Sequence, residues 1–225
     1  MTTLIIARHG NTFGPEDTLT RVGAHTDLPL VEKGEEQARA IGRYLKENGL
    51  IPDVVYSSKL QRTIQTAKIA IKESGVTNPV FELDIFNEID YGPDENQPED
   101  IVAERIGAQA IIDWDERAIV PDGWKVDPDE IIQNWINFAS HIASPPPDLS
   151  DPPPPGGGRI EVGGQDDEIH LVVTSNGIAR FAPYITGDFE AFSKKHKIKL
   201  STGALAILKH DRENGWRVES WNVKP

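Results

Sequence analysis

The chain has 225 residues, with 36 acidic and 23 basic side chains and a net charge of −13. So negative a field excludes nucleic acid and anionic membranes as partners held by general charge, and any phosphate site must be a local cluster of cations. Cysteine is absent, which rules out disulfides, thiolate metal sites and a cysteine nucleophile, and fits a reducing, cytoplasmic setting.

The length suits one domain over residues 1–225. Leu4 to Ala7 is an apolar run too short for a signal or a membrane span, so it is expected to be a buried first strand, ending at Arg8-His9-Gly10. Glu32 to Asn48 carries Ala38, Ile41 and Leu45 on one stripe before Gly49, which predicts a helix. Val54 to Tyr56 predicts a strand, and Ser57-Ser58 are expected to cap a helix over about Lys59 to Glu73. A third extended piece covers Pro79 to Leu83.

Residues 93–130 are expected to form an inserted helical cap, with a helix over Glu99 to Asp113 and with Trp114 and Trp124 as candidates to roof a pocket. A further helix, Asp129 to Ile142, leads into a Pro/Gly-rich loop over about 144–168. Its composition predicts an extended or flexible segment that is dispensable for chemistry. Ile169 to Thr174 predicts a strand and Ile178 to Ile185 a helix. Ala204 to Leu208 and Trp216 to Val223 form a terminal hairpin about Glu213-Asn214-Gly215. This alternation predicts a three-layer α/β fold with a mostly parallel central sheet and the cap over its carboxyl edge.

The polar residues fall in a definite order. Arg8-His9-Gly10 is followed by Asn11-Thr12, Arg21, Asp27-Leu28-Pro29-Leu30, Gly34 and Gln37-Ala38, then by Ser57-Ser58, Arg62, Thr66-Ala67 and Glu88. The set resembles the histidine phosphatase superfamily, which includes the cofactor-dependent phosphoglycerate mutases. The resemblance runs from Leu4 to Gly92, resumes at Leu171 to Arg180, and fails over about 93–168.

The resemblance implies a phosphoglycerate mutase-like fold and a phosphohistidine intermediate on His9. Imidazole attack divides one difficult hydrolysis into two steps and requires the neutral ring. Arg8 and Arg62 match the family's phosphate-binding arginines, whose planar forks suit phosphoryl oxygens. Glu88 matches the proton donor that a poor alkoxide leaving group needs, with Asp90 as second choice. Asn11, Thr12 and Arg21 are expected to bind substrate, and His25 stands where it can reach a pocket mouth. No cofactor or metal is implied.

Two positions depart from the family. Asn11 stands where Glu or Gln is usual, and Ser175 replaces the second histidine, followed by Asn176, both expected to bind substrate as neutral donors to the phosphoryl oxygens, with Arg180 at the expected later position. His170 begins the same strand and is expected to be a strand-terminus residue. The function implied is hydrolysis of a small phosphorylated metabolite. A phosphoglycerate-type mutase is one alternative, and a weakly active or inactive phosphate-binding or interaction protein is another. A mutase needs extra cations in the cap, where residues 93–130 offer only Arg105, Arg117 and Lys125. The cap's acidity predicts small, neutral or cationic leaving groups. Monomer and homodimer both remain open.

Overall fold

Successive strand residues point to opposite faces of a sheet, and here that alternation divides the buried side chains into two sets and fixes the layers. The computed structural model describes residues 1–143 and 168–225, so the Pro/Gly-rich stretch lies almost wholly outside the described residues. Six strands form the sheet among them: β1 (Thr2–Arg8), β2 (Val54–Ser57), β3 (Val80–Glu82), β4 (Glu168–Thr174), β5 (Leu205–Asp211) and β6 (Gly215–Val223), in the order β3-β2-β4-β1-β5-β6. The first four in that order run parallel, and β5 and β6 close the sheet as an antiparallel hairpin.

On one face Ile5, Ala7, Val55, Leu171 and Val173 pack against Ile41 and Leu45 of α1 (Glu32–Glu47) and Ala67, Ala70 and Ile71 of α2 (Gln61–Ser74). On the other, Leu4, Ile6, Val172 and Ala206 meet Phe86, Trp114, Phe181, and Trp135 and Phe138 of α5 (Pro128–Ala143). Each such buried aliphatic side chain contributes roughly 1.5–3 kcal/mol. The result is the expected three-layer α/β fold. No helix among the described residues is long and apolar enough to cross a membrane.

Between Asp90 and Lys125, whose backbones bridge, the chain makes a helical excursion over the sheet's carboxyl edge. The single helix expected over Glu99 to Asp113 is two, α3 (Glu99–Ile106) and α4 (Ala108–Arg117), because Gly107 between them takes φ +85. The helix expected from Ile178 to Ile185 is likewise divided. It comprises α6 (Asn176–Ala179) and a 3-10 turn over Ala182–Thr186, where Pro183 offers no backbone N–H. A last helix, α7 (Phe189–Lys195), is capped by Asp188, which accepts from the Ala191 amide at 2.9 Å.

The start of α2 also differs from expectation. Ser58 Oγ accepts from the Leu60 amide at 3.2 Å, yet the helix begins at Gln61, whose amide donates to Asp27 Oδ1 at 2.7 Å. A loop 34 residues away in sequence supplies this acceptor.

Candidate active site

β1 and β4 lie side by side and end together, with Arg8 opposite Thr174. A parallel sheet's carboxyl edge gathers polar residues because the strands stop there and loops begin. His9 follows β1 directly: its amide donates to Thr174 O at 3.0 Å and its carbonyl accepts from the Gly203 amide at 3.1 Å. The next amide, Gly10, donates to Thr66 Oγ1 of α2 at 3.1 Å. A side chain at Gly10 would place its Cβ 2.2 Å from Gly34 O, so only glycine lets this loop lie against the start of α1.

The His9 ring is buried, with Nδ1 2.7 Å from Gly10 O. A carbonyl only accepts, so Nδ1 carries the hydrogen and Nε2 keeps its lone pair. Burial, followed by the nearby Arg62 and Arg8 guanidinium charges, pushes the His9 imidazole well below its usual range. The ring is therefore neutral near pH 7, the state in which it can attack phosphorus.

Arg8 donates through Nη1 to Leu200 O at 2.8 Å, and Arg62 donates to Thr26 O at 2.8 Å and Gly23 O at 3.1 Å. Burial lowers both guanidinium pKa values, opposed first in each by the charge of Glu88. In both residues the buried Nε has no acceptor among the described residues. Arg8 faces a cavity of about 990 Å³, whereas Arg62 stands behind its wall.

Glu88 also lines this cavity, held by two backbone donors: Ile89 N to Oε1 at 3.0 Å and Gly177 N to Oε2 at 3.2 Å. The second comes from the first turn of α6, and a Cβ at Gly177 would sit 2.1 Å from Oε1. Asp90 points elsewhere, accepting from Gly92 N at 2.7 Å and lying 3.2 Å from both His25 Nε2 and Lys125 Nζ. His25 is thus a largely exposed partner of Asp90 and no part of the cavity wall.

The structure distinguishes Ser175 from Asn176. Asn176 faces the cavity; its Oδ1 accepts from Leu200 N at 2.9 Å, which orients Nδ2 as the free donor among the described residues. Ser175 Oγ is buried with no partner and lies outside the wall. Asn11, Thr12 and Arg21 all line the cavity. Trp114 lies in its wall but is fully buried, and Trp124 does not line it. The Trp124 indole donates to Asp94 Oδ2 at 2.7 Å and the ring lies 5.2 Å from the Arg21 guanidinium carbon. His170, at the far end of β4, is buried against Tyr56.

Sequence reasoning leaves several wall residues without a role. Arg180 is noted only as a motif position, yet it is 1% exposed and stacks 4.0 Å over Trp114. It donates to the Trp114 and Asn176 carbonyls. Tyr91, Asp115 and Lys199 also line the cavity, and no local pattern marks any of them.

Comparison with known proteins bears on this arrangement. A family model described as the histidine phosphatase superfamily, branch 1, matches residues 4–148. A 2,3-bisphosphoglycerate-dependent phosphoglycerate mutase of Thermobifida fusca is 43% identical over 93 residues, 41% of this chain and 37% of that one. The chain spans about half the length of other phosphoglycerate mutases it matches. Among solved structures, a mycobacterial glucosyl-3-phosphoglycerate phosphatase superposes with a TM-score of 0.72 at 20% identity, over all of both chains. A phosphoserine phosphatase of Entamoeba histolytica gives 0.67 at 19% identity, covering 99% of this chain and 97% of the other. These two show a shared fold.

Proposed function

The chain belongs to the histidine phosphatase superfamily, and from that premise we propose that it hydrolyses phosphomonoesters through a phosphohistidine on His9. The observation that carries this reading is the state of the His9 ring: neutral, tied by Nδ1 to a carbonyl, and free at Nε2 beside buried arginines. Nε2 attacks phosphorus in line, and Arg8 stabilises the charge on the equatorial oxygens, with Arg62 adding positive charge from outside the cavity lining. The Nε donor of Arg8, unpartnered among the described residues, suits an anionic ligand.

In this scheme Asn176 Nδ2 serves as a neutral donor where the family has a charged imidazole, with Ser175 behind it. Asn11, Thr12 and Arg21 contact the substrate from the loop side. Glu88 protonates the departing oxygen and then takes a proton from the water that cleaves the phosphoenzyme. No metal or organic cofactor enters the scheme, and a cysteine-free chain suits the cytoplasm.

The mutase alternative requires cations in the cap to hold a second anionic group. Arg105 is bound to Asp94, Arg117 to Asp113 and Lys125 to Asp90, and none of the three lines the cavity. The binding-protein alternative sits poorly with a free Nε2 and a Glu88 fixed by two backbone amides. Acid-labile labelling of the protein by a panel of phosphomonoesters tests the proposal. His9→Ala should lose the label and about 10³-fold or more of the turnover while remaining folded. Unchanged turnover in a folded His9→Ala protein overturns it.

A further inference from the structure

The cavity, at about 990 Å³, is far larger than a phosphoryl group and lies at the upper end of the range for drug-sized ligands. The space beyond Arg8 and His9 must therefore take the leaving group, and its wall decides which alcohols fit. Ile111 supplies an apolar contact in the cavity lining, with the fully buried Trp114 packed in the same wall. Besides Arg8, the cavity is lined by four cations: Arg21, Lys33, Arg180 and Lys199.

Arg21, Arg180 and Lys199 already face two carboxylates that also line the cavity, with Asp115 shared by two of them. Glu99 accepts from Arg21 at 2.5 Å, and Asp115 accepts from Lys199 at 2.6 Å and lies 3.7 Å from Arg180. Arg180 is otherwise committed to the Asn176 and Trp114 carbonyls and the Trp114 ring, while Arg21 lies against the Tyr91 and Trp124 rings with its buried Nε unpartnered among the described residues. Lys33, the remaining cation of this part of the wall, is exposed and directly follows Glu32. An anionic leaving group thus meets cations whose partners it would have to displace, and it meets the carboxylates themselves.

We infer that Glu99 and Asp115 are specificity-determining residues, which by occupying Arg21, Lys199 and Arg180 reserve the leaving-group end for an uncharged alcohol with an apolar face. This rests on the phosphatase reading above and deepens it. Both carboxylates come from the helical excursion, Glu99 opening α3 and Asp115 in the last turns of α4, whereas the cations come from elsewhere in the chain. The excursion therefore sets selectivity by cancelling charge as well as by shape.

The probes are glycerol 3-phosphate and 3-phosphoglycerate, which differ by one carboxylate on the same three-carbon frame. The wild-type chain should favour glycerol 3-phosphate in kcat/KM. Asp115→Asn and Glu99→Gln, nearly isosteric, should each raise the 3-phosphoglycerate to glycerol 3-phosphate ratio by about ten-fold, since each frees one charged donor. Adding Lys199→Met to Asp115→Asn should reverse much of that gain. A wild type that prefers 3-phosphoglycerate overturns the inference, as do folded single variants whose ratio stays within two-fold. The same ratios read as dissociation constants by calorimetry separate the two claims. A binding shift without turnover counts against hydrolysis alone, and turnover without a shift counts against this inference alone.

Discussion

The two ends of the cavity are built by different means. The end proposed to take phosphate is held by main chain: the His9 amide and carbonyl, the Gly10 amide and Glu88 Oε2 bond across elements, and Glu88 Oε1 accepts from the adjacent Ile89 amide. The end proposed for the leaving group is held by side chains, through ion pairs such as Arg21–Glu99 and Lys199–Asp115 and through Arg180 stacked on Trp114. Main-chain bonds survive most substitutions and are little affected by salt, whereas surface ion pairs are each worth only about 0–1 kcal/mol and are screened. Such a division keeps the chemistry fixed while the selectivity of the wall stays open to change.

After the loss expected for His9→Ala, the largest effect should come from Gly177→Ala. The new Cβ collides with Glu88 Oε1, so kcat should fall by about 10²-fold, the usual scale for losing a positioned acid. An unchanged kcat would mean that the Glu88 position is not needed. Next comes Asn176→Ala, which should cost about 1–3 kcal/mol, or roughly 10–100-fold in kcat/KM, as a donor facing the cavity is removed. Ser175→Ala should cost less, because its hydroxyl lies behind the wall. The reverse ranking would restore Ser175 as the functional successor of the second histidine.

The pH profile probes the phosphate end without mutation. An imidazole of ordinary pKa, roughly 6.5, would lose about ten-fold of its neutral form by about pH 5.5. Because burial lowers the His9 value well below this, single-turnover phosphoenzyme formation should stay near its plateau through that range. The sign for stability is opposite in feel but follows from the same shift. The unfolded chain takes up a proton near pH 6.5 that the folded chain refuses, so His9 makes the fold less stable as pH falls below that value. Thermal melts from pH 7.5 to 5.5 with wild type and His9→Ala would show the difference. The smallest effect is that of salt. Raising sodium chloride to about 0.5 M should change KM by no more than a few-fold, through the pairs of the leaving-group wall, and should leave phosphoenzyme formation at saturation nearly unchanged.

Much of this protein was legible in the sequence, because the signals were local. The apolar runs at Leu4 to Ala7 and Ile169 to Thr174, the stripe of α1 and the Asn214-Gly215 turn each report their own conformation within a few residues. Arg8-His9-Gly10 at a strand end and Glu88 before Gly92 are likewise short patterns, and the cavity brings His9, Arg8 and Glu88 together. Tertiary structure decided what depends on partners distant in the chain. Asp27 sets where α2 begins, and Leu200 orients the Asn176 amide. Arg62 is turned toward the carbonyls of Gly23 and Thr26, behind the wall that Arg8 faces. Glu99 and Asp115 look in sequence like solvated charges among many. Only the fold of the excursion over the sheet edge sets them against Arg21, Arg180 and Lys199, since an ion pair is a property of two positions and neither one records it alone.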